Sequence, residues 1–312
     1  MTTECSTPGT TSRRGVAPMA LSNNRWTGTG CEDDASTGTS GGCLNFDNQL
    51  KIATWNCGGL THTQLNFCRE HHYDILALTE THDNGSIQPN RNFITAEPAP
   101  PSDSFSGVAL LISDKVAKCV IHKGTVGSRI VFIRIRSHPC NIFVVAVYMP
   151  HSGRKQQPYP ADTRSEIDKL LSKVSPHDCV ILLGDLNCKL ARKSDKLVGN
   201  WCVHPRSNQE GEHFLDLMRK TKLVAISTFF QPCRRKTNVT YIAKDTAYKP
   251  SQIDYILISS RWATSITKCR VRWGMTIQRW GRIYDHGTIE CNFKAKVNKQ
   301  QIRVQSALTL TS

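Results

Sequence analysis

Polar side chains that can bind a metal ion or transfer a proton stand at the ends of several apolar runs in this sequence. They comprise four carboxylates, two amides, a phenol and an imidazole: Asn56, Glu80, Tyr148, Asp185, Asn187, Asp254, Asp285 and His286. A charged side chain at the edge of a buried strand costs desolvation free energy unless it is paired or binds a metal. Because these residues belong to separate runs, the sequence predicts that strand ends bring them together in one site.

The residue types in this set define a metal-binding chemistry. The carboxylates of Glu80, Asp185 and Asp285 and the amide oxygen of Asn56 form the oxygen-rich ligand set that suits Mg²⁺ or Mn²⁺. The presence of a single histidine in the set disfavours zinc. We therefore expect Mg²⁺ as the cofactor, with Mn²⁺ as the alternative.

The pairing of Asp254 with His286 is the second chemical feature. A carboxylate fixes the tautomer of a histidine and raises its pKa, so that the imidazolium can bind or protonate a phosphate oxygen. A metal site, an acid–base pair and basic surroundings together indicate hydrolysis of phosphodiesters or phosphomonoesters.

The charge of the chain points to a polyanionic partner. The 312 residues include 40 Lys and Arg against 25 Asp and Glu, which gives a net charge of +15. Residues 1–48 hold three basic and five acidic side chains, so the basic excess lies entirely in 49–312. Nucleic acid is the favoured partner, ahead of an acidic membrane surface.

Membrane and secreted classes are disfavoured. No apolar run approaches the ~18 residues that a bilayer-spanning helix needs, and the polar N-terminus lacks the layout of a secretory signal. The 13 cysteines form no CxxC pair, and several lie inside apolar runs. Free thiols in a reducing compartment are therefore expected, which predicts an intracellular protein, nuclear or cytoplasmic.

Nine strand-like runs and three helical patterns follow residue 49. The strand-like runs cover 50–56, 74–80, 106–113, 129–135, 141–149, 179–186, 223–227, 252–259 and 288–297. The helical patterns cover 61–71, 162–174 and 210–220. Because helices and strands do not alternate strictly, the pattern favours an α+β fold with two sheets packed face to face and helices outside.

Composition sets the domain boundaries. Residues 1–48 are rich in Gly, Ser and Thr and lack hydrophobic periodicity, which predicts a disordered tail. The folded domain is predicted over 49–297. Residues 298–312 are interpreted as a C-terminal tail.

Six motifs occur in an order that is shared with a known superfamily. They are ATWN (53–56), LTETH (78–82), VYMP (147–150), GDLN (184–187), QIDYILIS (252–259) and YDHGTIE (284–290). The chain thereby resembles the endonuclease/exonuclease/phosphatase superfamily, which includes DNase I-like nucleases and abasic-site endonucleases. Residues 208–231 and 234–262 are most similar to the endonuclease domains of non-LTR retrotransposons. The resemblance implies a DNase I-like four-layer α/β sandwich, in which two mixed β-sheets are flanked by helices.

The resemblance also implies roles for the metal and the attacking water. Glu80 would be the principal metal carboxylate, with support from Asn56 and Asp285. Asp185 would activate the attacking water, and Asn187 would hold the phosphate oxygen beside it.

Further implied roles concern the phosphate group. Tyr148 would hydrogen-bond the scissile phosphate or assist the leaving group. His286, oriented by Asp254, would stabilise the charge on the phosphorane-like transition state. Arg154 and Thr240 are implied as contacts to the phosphate backbone.

Three positions depart from the family pattern. Tyr284 stands where Ser usually precedes Asp-His, and Gly58 replaces an Asp or Asn that many members carry. His151 stands where abasic-site endonucleases carry Asn, and it is either a loop residue or a substrate contact. None of these changes removes a residue essential to the mechanism, so we expect an active enzyme.

A basic segment that carries tryptophans spans 261–284. It holds six Lys or Arg residues, three tryptophans and no acidic residue. Positive charge follows phosphates and indole rings stack on bases, so Arg279, Trp280 and Arg282 are predicted substrate contacts. The alternative places the tryptophans in the core and the arginines on a solvated face.

These inferences favour a monomeric, Mg²⁺-dependent phosphodiesterase of retrotransposon type that nicks DNA. The first alternative is an abasic-site repair endonuclease or exonuclease, and the second is a phosphatase or RNA-directed hydrolase of the same superfamily. A catalytically silent nucleic-acid-binding module is the third, and the complete set of site residues argues against it. The basic segment favours a polymeric substrate, DNA ahead of RNA.

Overall fold

The computed structural model describes most of the predicted folded domain. The described residues are 42–45, 49–82, 87–98, 103, 105–151, 160–233, 237–245, 247–273 and 285–294. Most of the predicted N-terminal tail and all of the predicted C-terminal tail lie outside these residues.

Fourteen strands and four α-helices make up the described part of the chain. The strands are β1 (Leu44–Asn45), β2 (Leu50–Asn56), β3 (Ile75–Thr79), β4 (Phe93–Thr95), β5 (Val108–Ile112), β6 (Val120–Val126), β7 (Ile130–Ile135), β8 (Ser137–His138), β9 (Ile142–Tyr148), β10 (Cys179–Asp185), β11 (Leu223–Ala225), β12 (Asp254–Ser259), β13 (Ile266–Arg272) and β14 (Thr288–Phe293). The helices are α1 (His62–Glu70), α2 (Asp114–Ala117), α3 (Pro160–Ser172) and α4 (Gln209–Thr221).

Two six-stranded mixed sheets form the centre of the fold. Their strand orders are β11-β12-β10-β9-β7-β6 and β13-β14-β2-β3-β5-β4. The pairs β9/β10 and β2/β3 are parallel, whereas the other neighbours in both sheets are antiparallel. Parallel neighbours have their carboxyl ends at the same edge of a sheet. The polar residues of the sequence motifs lie at or directly after these carboxyl ends.

The inner faces of the two sheets pack against each other. Ile52 and Ile75 from one sheet share a hydrophobic cluster with Val144 and Ile258 from the other. Every residue of β9 is buried because both of its faces are covered, which explains why its sequence reads as an uninterrupted apolar run.

Helices cover the outer faces and complete four layers. Leu65 of α1 packs with Trp55 outside one sheet. Ile167 of α3 and Phe214 of α4 pack with Val145 outside the other. The predicted four-layer sandwich is therefore confirmed.

Two local features differ from the sequence-based expectations. Leu44, within the predicted tail, is buried and pairs in parallel with Ser137, because the hydrophobic cluster between the sheets accepts its side chain. Cys269 and Cys291 stand opposite each other on β13 and β14 and form a disulfide, whereas free thiols were expected. The other nine cysteines within the described residues are free. Within the described part of the chain, no helix has the length and apolar character needed to cross a membrane.

Candidate active site

Glu80 reaches the candidate site from a turn that backbone hydrogen bonds hold in place. Asn56 at the end of β2 lies opposite Thr79 at the end of β3, so Glu80 follows at the same edge. The N–H of Cys57 donates to the carbonyl of Thr79 at 3.0 Å, and the N–H of Gly59 donates to the carbonyl of Glu80 at 2.7 Å. Glu80 has a φ of +50°, a left-handed conformation that is uncommon for a residue other than glycine.

Three strands of the second sheet place three polar side chains at one edge. Asp185 lies opposite Tyr148 on the parallel strand β9 and opposite Asp254 on the antiparallel strand β12. Gly184 precedes Asp185 with a φ of +147°, and a Cβ atom there would lie 1.9 Å from the carbonyl oxygen of Val147. Only glycine allows this close approach, so it fixes the position at which Asp185 leaves the strand.

Hydrogen bonds link the polar residues of the two sheets. Nδ1 of His286 lies 2.9 Å from Oδ2 of Asp254. Asn56 donates from Nδ2 to Oδ2 of Asp185 at 2.9 Å, and the same nitrogen lies 3.4 Å from Nε2 of His286. All four side chains are buried. Asn56 and His286 lie at the end of the sheet that contains β2 and β14. Asp185 and Asp254 lie on β10 and β12 of the second sheet, so residues of both sheets form the site.

The surrounding carboxylates hold His286 in its protonated form. Burial by itself would lower the pKa of His286, but the charge and hydrogen bond of Asp254 and the charge of Asp185 raise it to about 10. Burial also raises the pKa of the Asp185 carboxyl, and the negative charge of Asp254 adds to that effect. His286 is therefore positively charged, and Asp254, Asp185 and Asp285 are the acidic side chains that stabilise that charge.

Glu80 and Tyr148 form a donor–acceptor pair with defined protonation states. The hydroxyl of Tyr148 donates to Oε1 of Glu80 at 2.6 Å. Burial would raise the pKa of Glu80, but the neighbouring His82 side chain, the hydrogen bond from Tyr148, the nearby Asn56 amide and the positive charge of His286 lower it to about 2. Burial and the charge of Glu80 raise the pKa of Tyr148. Glu80 is therefore an anion at neutral pH, and Tyr148 is a neutral hydrogen-bond donor.

Asn187 is fixed beside Asp185 by two hydrogen bonds. Its backbone N–H donates to Oδ1 of Asp185 at 2.9 Å, and its Nδ2 donates to the carbonyl of Met149 at 2.8 Å. Its φ of +46° is left-handed, a conformation that asparagine adopts more readily than most residues. The GDLN turn therefore holds both oxygens of Asp185 in defined surroundings.

The donor set of the site fits a divalent cation. Oδ1 of Asp254 is buried and has no hydrogen-bond partner within the described structure, which is a costly state for a carboxylate oxygen. Ligand atoms of Asp185, Asp254 and His286 lie within 4.8 Å of one another and could hold a metal ion. The carboxyl oxygens of Asp185 and Asp254 are the oxygen donors of this group, and the charge of Glu80 is close enough to raise the pKa of Asp185. Oxygen donors suit Mg²⁺ or Mn²⁺.

Two of the predicted metal residues make other contacts. Oδ1 of Asn56 accepts from the N–H of Gly58 at 3.1 Å, so the amide nitrogen is the atom that faces Asp185. Asp285 is half-buried, and its charge contributes to the raised pKa of His286. The role of both residues as metal ligands stays a prediction.

Thr240 organises the backbone around Asp254. Its hydroxyl accepts the N–H groups of Ile253 and Asp254, each at 3.1 Å, and its carbonyl accepts the N–H of Gly287 at 2.7 Å. The residue is fully buried. These hydrogen bonds fix the backbone at the start of β12, and the contact of Thr240 with a phosphate backbone stays a prediction.

Of the remaining predicted substrate contacts, His151 alone lies within the described residues. His151 is exposed at the end of the described stretch after β9. Arg154, Arg279, Trp280 and Arg282 lie outside the described residues, as does Tyr284.

Two aromatic residues of the site were missed by the sequence analysis. Nε2 of His82 lies 3.6 Å from Oε2 of Glu80. The ring of Tyr241 lies against that of His286, with the ring centroids 4.8 Å apart. Both follow a predicted site residue closely in the chain, and that proximity was the available signal.

Arg129 is a third residue that the sequence analysis missed, and it contacts both the ring and the backbone of Tyr148. Its guanidinium lies 4.9 Å from the centroid of the Tyr148 ring and donates to the Tyr148 carbonyl at 3.4 Å. It also forms a buried ion pair with Asp103. The sequence shows only an arginine at the start of an apolar run, so its partners could not be inferred.

A four-layer sandwich with carboxylates and an imidazole at one end of both sheets is the architecture of the DNase I-like superfamily. Residues 53–274 match the model of the Endonuclease/Exonuclease/phosphatase family. The chain belongs to that family, as the motif order predicted.

One curated relative and two solved structures illustrate the range of similar proteins. Craniofacial development protein 2 of Bos taurus is 23% identical over 256 residues, which cover 79% of this chain and 41% of the relative. A variant of the 3′ phosphatase NExo from Neisseria, solved with product DNA hairpin, has a TM-score of 0.57 and 18% identity, covering 79% of this chain and 100% of its own. The endonuclease domain of TRAS1, a telomere-specific non-LTR retrotransposon, has a TM-score of 0.55 and 14% identity. The match covers 79% of this chain and 99% of the TRAS1 domain. This chain thus spans less than half of the curated relative, and the two structures share its fold.

Proposed function

We propose that this chain hydrolyses phosphodiester bonds in DNA with a divalent metal ion, Mg²⁺ ahead of Mn²⁺, and nicks its substrate as retrotransposon endonucleases do. The observation that carries the proposal is a pairing across the sandwich. The imidazolium of His286, held by Asp254, faces the carboxylate of Asp185 with 4.0 Å between Nε2 and Oδ2. A cationic acid and a carboxylate base at close range are the groups that attack of water on a phosphate ester requires.

Each group of this pair has its own task. Asp185 accepts the proton of the attacking water, and the hydrogen bonds from Asn56 and Asn187 fix the orientation of its two oxygens. His286 donates from Nε2 to a phosphoryl oxygen and stabilises the charge that develops there in the transition state. Asp254 holds the imidazole in the orientation that this donation needs.

Glu80 and Tyr148 complete the proposed machinery. Glu80 would hold the metal together with the carboxylates of Asp254 and Asp285. A bound divalent cation would offset the buried negative charge and polarise a phosphoryl oxygen. The neutral hydroxyl of Tyr148, already a donor to Glu80, is the donor for a phosphate oxygen or for the leaving group.

The charge of the chain supports a polymeric substrate. A net charge of +15 attracts a polyanion more strongly than it attracts a small phosphoester with few charges. The names of the two solved structures refer to an endonuclease domain of a retrotransposon and to a DNA hairpin product, and they support DNA by analogy. We therefore place DNA ahead of RNA.

A substrate panel tests this proposal. The full chain is incubated with Mg²⁺ and end-labelled single-stranded DNA, duplex DNA, single-stranded RNA and a 3′-phosphorylated DNA strand. We expect internal cleavage of the DNA substrates, and we expect Asp185→Asn to abolish it. A matched control, Asp216→Asn, replaces a carboxylate on α4 that is 73% exposed and should cleave as the wild type does. Cleavage of RNA alone, or release of the 3′ phosphate alone, would contradict the proposal.

A further inference from the structure

A small groove lies beside the candidate active site, at the same end of the sheet. β11 runs antiparallel to β12 with Ala225 opposite Leu257, so the chain that leaves β11 runs toward the end of β12 that carries Asp254. The turn Ile226–Phe229 follows at once and packs against β12. The groove, about 260 Å³ in volume, is formed between this turn and the segment 193–201. It therefore sits one strand beyond Asp254.

Two exposed aromatic rings and two lysines line this groove. Trp201 is 41% exposed and Phe229 is 43% exposed, and Lys193 and Lys196 stand beside them on the same groove. Indole and phenyl rings offer flat apolar faces, and ammonium groups offer positive charge. The combination of aromatic faces and a basic rim is the one that proteins use to hold unpaired nucleotides.

Lys193 and Lys196 give the rim of the groove positive charge, and the acidic residue between them is paired with Arg219. Asp195 lies between the two lysines in the chain, but its Oδ2 accepts from Nε of Arg219 at 2.6 Å. Lys193 and Lys196 are both exposed, with left-handed φ angles of +63° and +59°. The ammonium groups are thus left to face an anionic ligand.

Hydrogen bonds from two backbone N–H groups to Thr228 lock the two walls of the groove together. The N–H of Gly199 donates to Oγ1 of Thr228 at 2.7 Å, and the N–H of Trp201 donates to the Thr228 carbonyl at 2.9 Å. A Cβ atom at Gly199 would lie 2.4 Å from that carbonyl oxygen, so glycine is required for the two walls to meet. Trp201 and Phe229 are therefore held exposed in advance of binding, which lowers the entropy cost of holding a ligand.

We propose that this feature, the Trp201–Phe229 groove, is a subsite for an unpaired nucleotide of the DNA strand that is cut. The base stacks on the aromatic rings, and the adjoining phosphates pair with Lys193 and Lys196. A base inside a duplex has both faces covered by its neighbours, whereas an unpaired base has a free face to stack. This inference rests on the proposed function and deepens it, because it specifies DNA with an unpaired base beside the cleavage site as the preferred substrate.

Binding measurements without catalysis test the stacking contact. The full chain is titrated, in EDTA, with a labelled duplex that has a single-stranded extension and with the blunt duplex of the same sequence. We expect the wild type to bind the extended DNA more tightly, and we expect Trp201→Ala and Phe229→Ala each to lose about tenfold in that affinity alone. Ile121→Ala is the matched control, because Ile121 is also 41% exposed but lies on β6 at the opposite edge of the sheet. Thermal unfolding verifies that each variant is folded.

The lysines provide a second and independent readout. The double variant Lys193→Gln/Lys196→Gln should reduce the slope of log affinity against log salt for the extended DNA by about 1.4, since single-stranded binding contributes about 0.7 per neutralised phosphate. Lys169→Gln/Lys220→Gln, which removes two exposed lysines from α3 and α4, should leave the slope unchanged.

The outcomes separate this inference from the proposed function. The subsite would be overturned if the wild type bound extended and blunt DNA with equal affinity. It would also be overturned if the aromatic variants kept the wild-type affinity and the lysine variant kept the wild-type salt slope. If either result were found while the wild type still cleaved DNA in a metal-dependent reaction, only the subsite would be wrong and the proposed function would be retained. Loss of extended-DNA preference in the aromatic variants, with cleavage retained, would support both.

Discussion

Nε2 of His286 lies 4.0 Å from Oδ2 of Asp185, and Nδ2 of Asn56 is within reach of both, at 3.4 Å and 2.9 Å. A separation of 4.0 Å exceeds the range of a hydrogen bond, so the imidazolium and the carboxylate are not bonded to each other. Each is fixed by its own partners instead, Asp254 for His286 and Asn187 for Asp185. Separate fixation allows the two groups to act on different atoms of one substrate, the attacking water and a phosphoryl oxygen.

Glu80→Gln should reduce activity by at least about a hundredfold at limiting Mg²⁺, because the amide removes the anion that would hold the cation. The fold should be retained, since glutamine can still accept the hydrogen bond from Tyr148. The measurement is the Mg²⁺ dependence of the cleavage rate, together with calorimetric Mg²⁺ binding to the full chain. Glu70→Gln, at an exposed position of α1, is the control. An unchanged Mg²⁺ dependence would show that Glu80 does not bind the metal.

Arg129→Met should destabilise the protein by about 3–5 kcal/mol, because it leaves the buried carboxylate of Asp103 without its ion-pair partner. The double variant Arg129→Met/Asp103→Asn should recover much of that loss, since the uncompensated charge is gone. Urea unfolding of the two single variants and the double variant measures the coupling. Strictly additive losses would argue against a direct pairing of the two side chains.

Gly184→Ala should destabilise the protein by more than about 2 kcal/mol and abolish activity, because the added Cβ meets the backbone of β9. Gly127→Ala is a control of the same chemical size. Gly127 has a φ of +56° but open space around its Cβ position, so only backbone strain of about 1 kcal/mol is expected. Equal losses in the two variants, measured by thermal unfolding, would show that the contact with β9 is unimportant.

Glu290 should make stability depend on pH in the acid range. Burial would raise its pKa, but hydrogen bonds from Arg270 and Tyr73 and the positive charges of Arg270 and Arg272 lower it below the ordinary value of 4.5. A lowered pKa means that the ionised form stabilises the fold above pH 4.5 and that this stabilisation is lost as pH falls through the folded-state pKa. Glu290→Gln should therefore have a lower Tm than the wild type at pH 7, by an amount worth roughly 1–2 kcal/mol.

Thermal unfolding of both proteins from pH 7 to pH 3 measures this dependence. The difference in Tm should shrink as the solution is acidified, because protonation removes the same charge that the substitution removes. A difference in Tm that stays constant over the whole range would contradict the role assigned to the Glu290 charge.

The sequence was informative wherever a residue's surroundings are set by its own strand. β9 and β10 are buried on both faces, so they read as apolar runs, and Tyr148 and Asp185 could be located at their ends. The family match and the four-layer sandwich agree with the motif order. The chemical roles of the individual site residues stay predictions.

Features that depend on partners far apart in the chain could not be predicted. β6 is an edge strand with partly exposed residues and no apolar run, so the sequence analysis missed it. The pairing of Arg129 with Asp103 and the burial of Thr240 exist only because separate segments meet in the fold. The ion pairs of Arg270 and Arg272, two members of the basic segment, with Glu290 likewise join separate segments and could not be inferred.

The most direct test of the proposed catalysis is relaxation of supercoiled plasmid DNA by the full chain, with Mg²⁺ and with EDTA, beside Asp185→Asn. Nicked circles should accumulate with Mg²⁺, and none should form in EDTA or with the variant at equal protein concentration. Far-UV circular dichroism confirms that the variant is folded. Nicking that persists in EDTA, or a variant as active as the wild type, would contradict metal-dependent hydrolysis with Asp185 as the base.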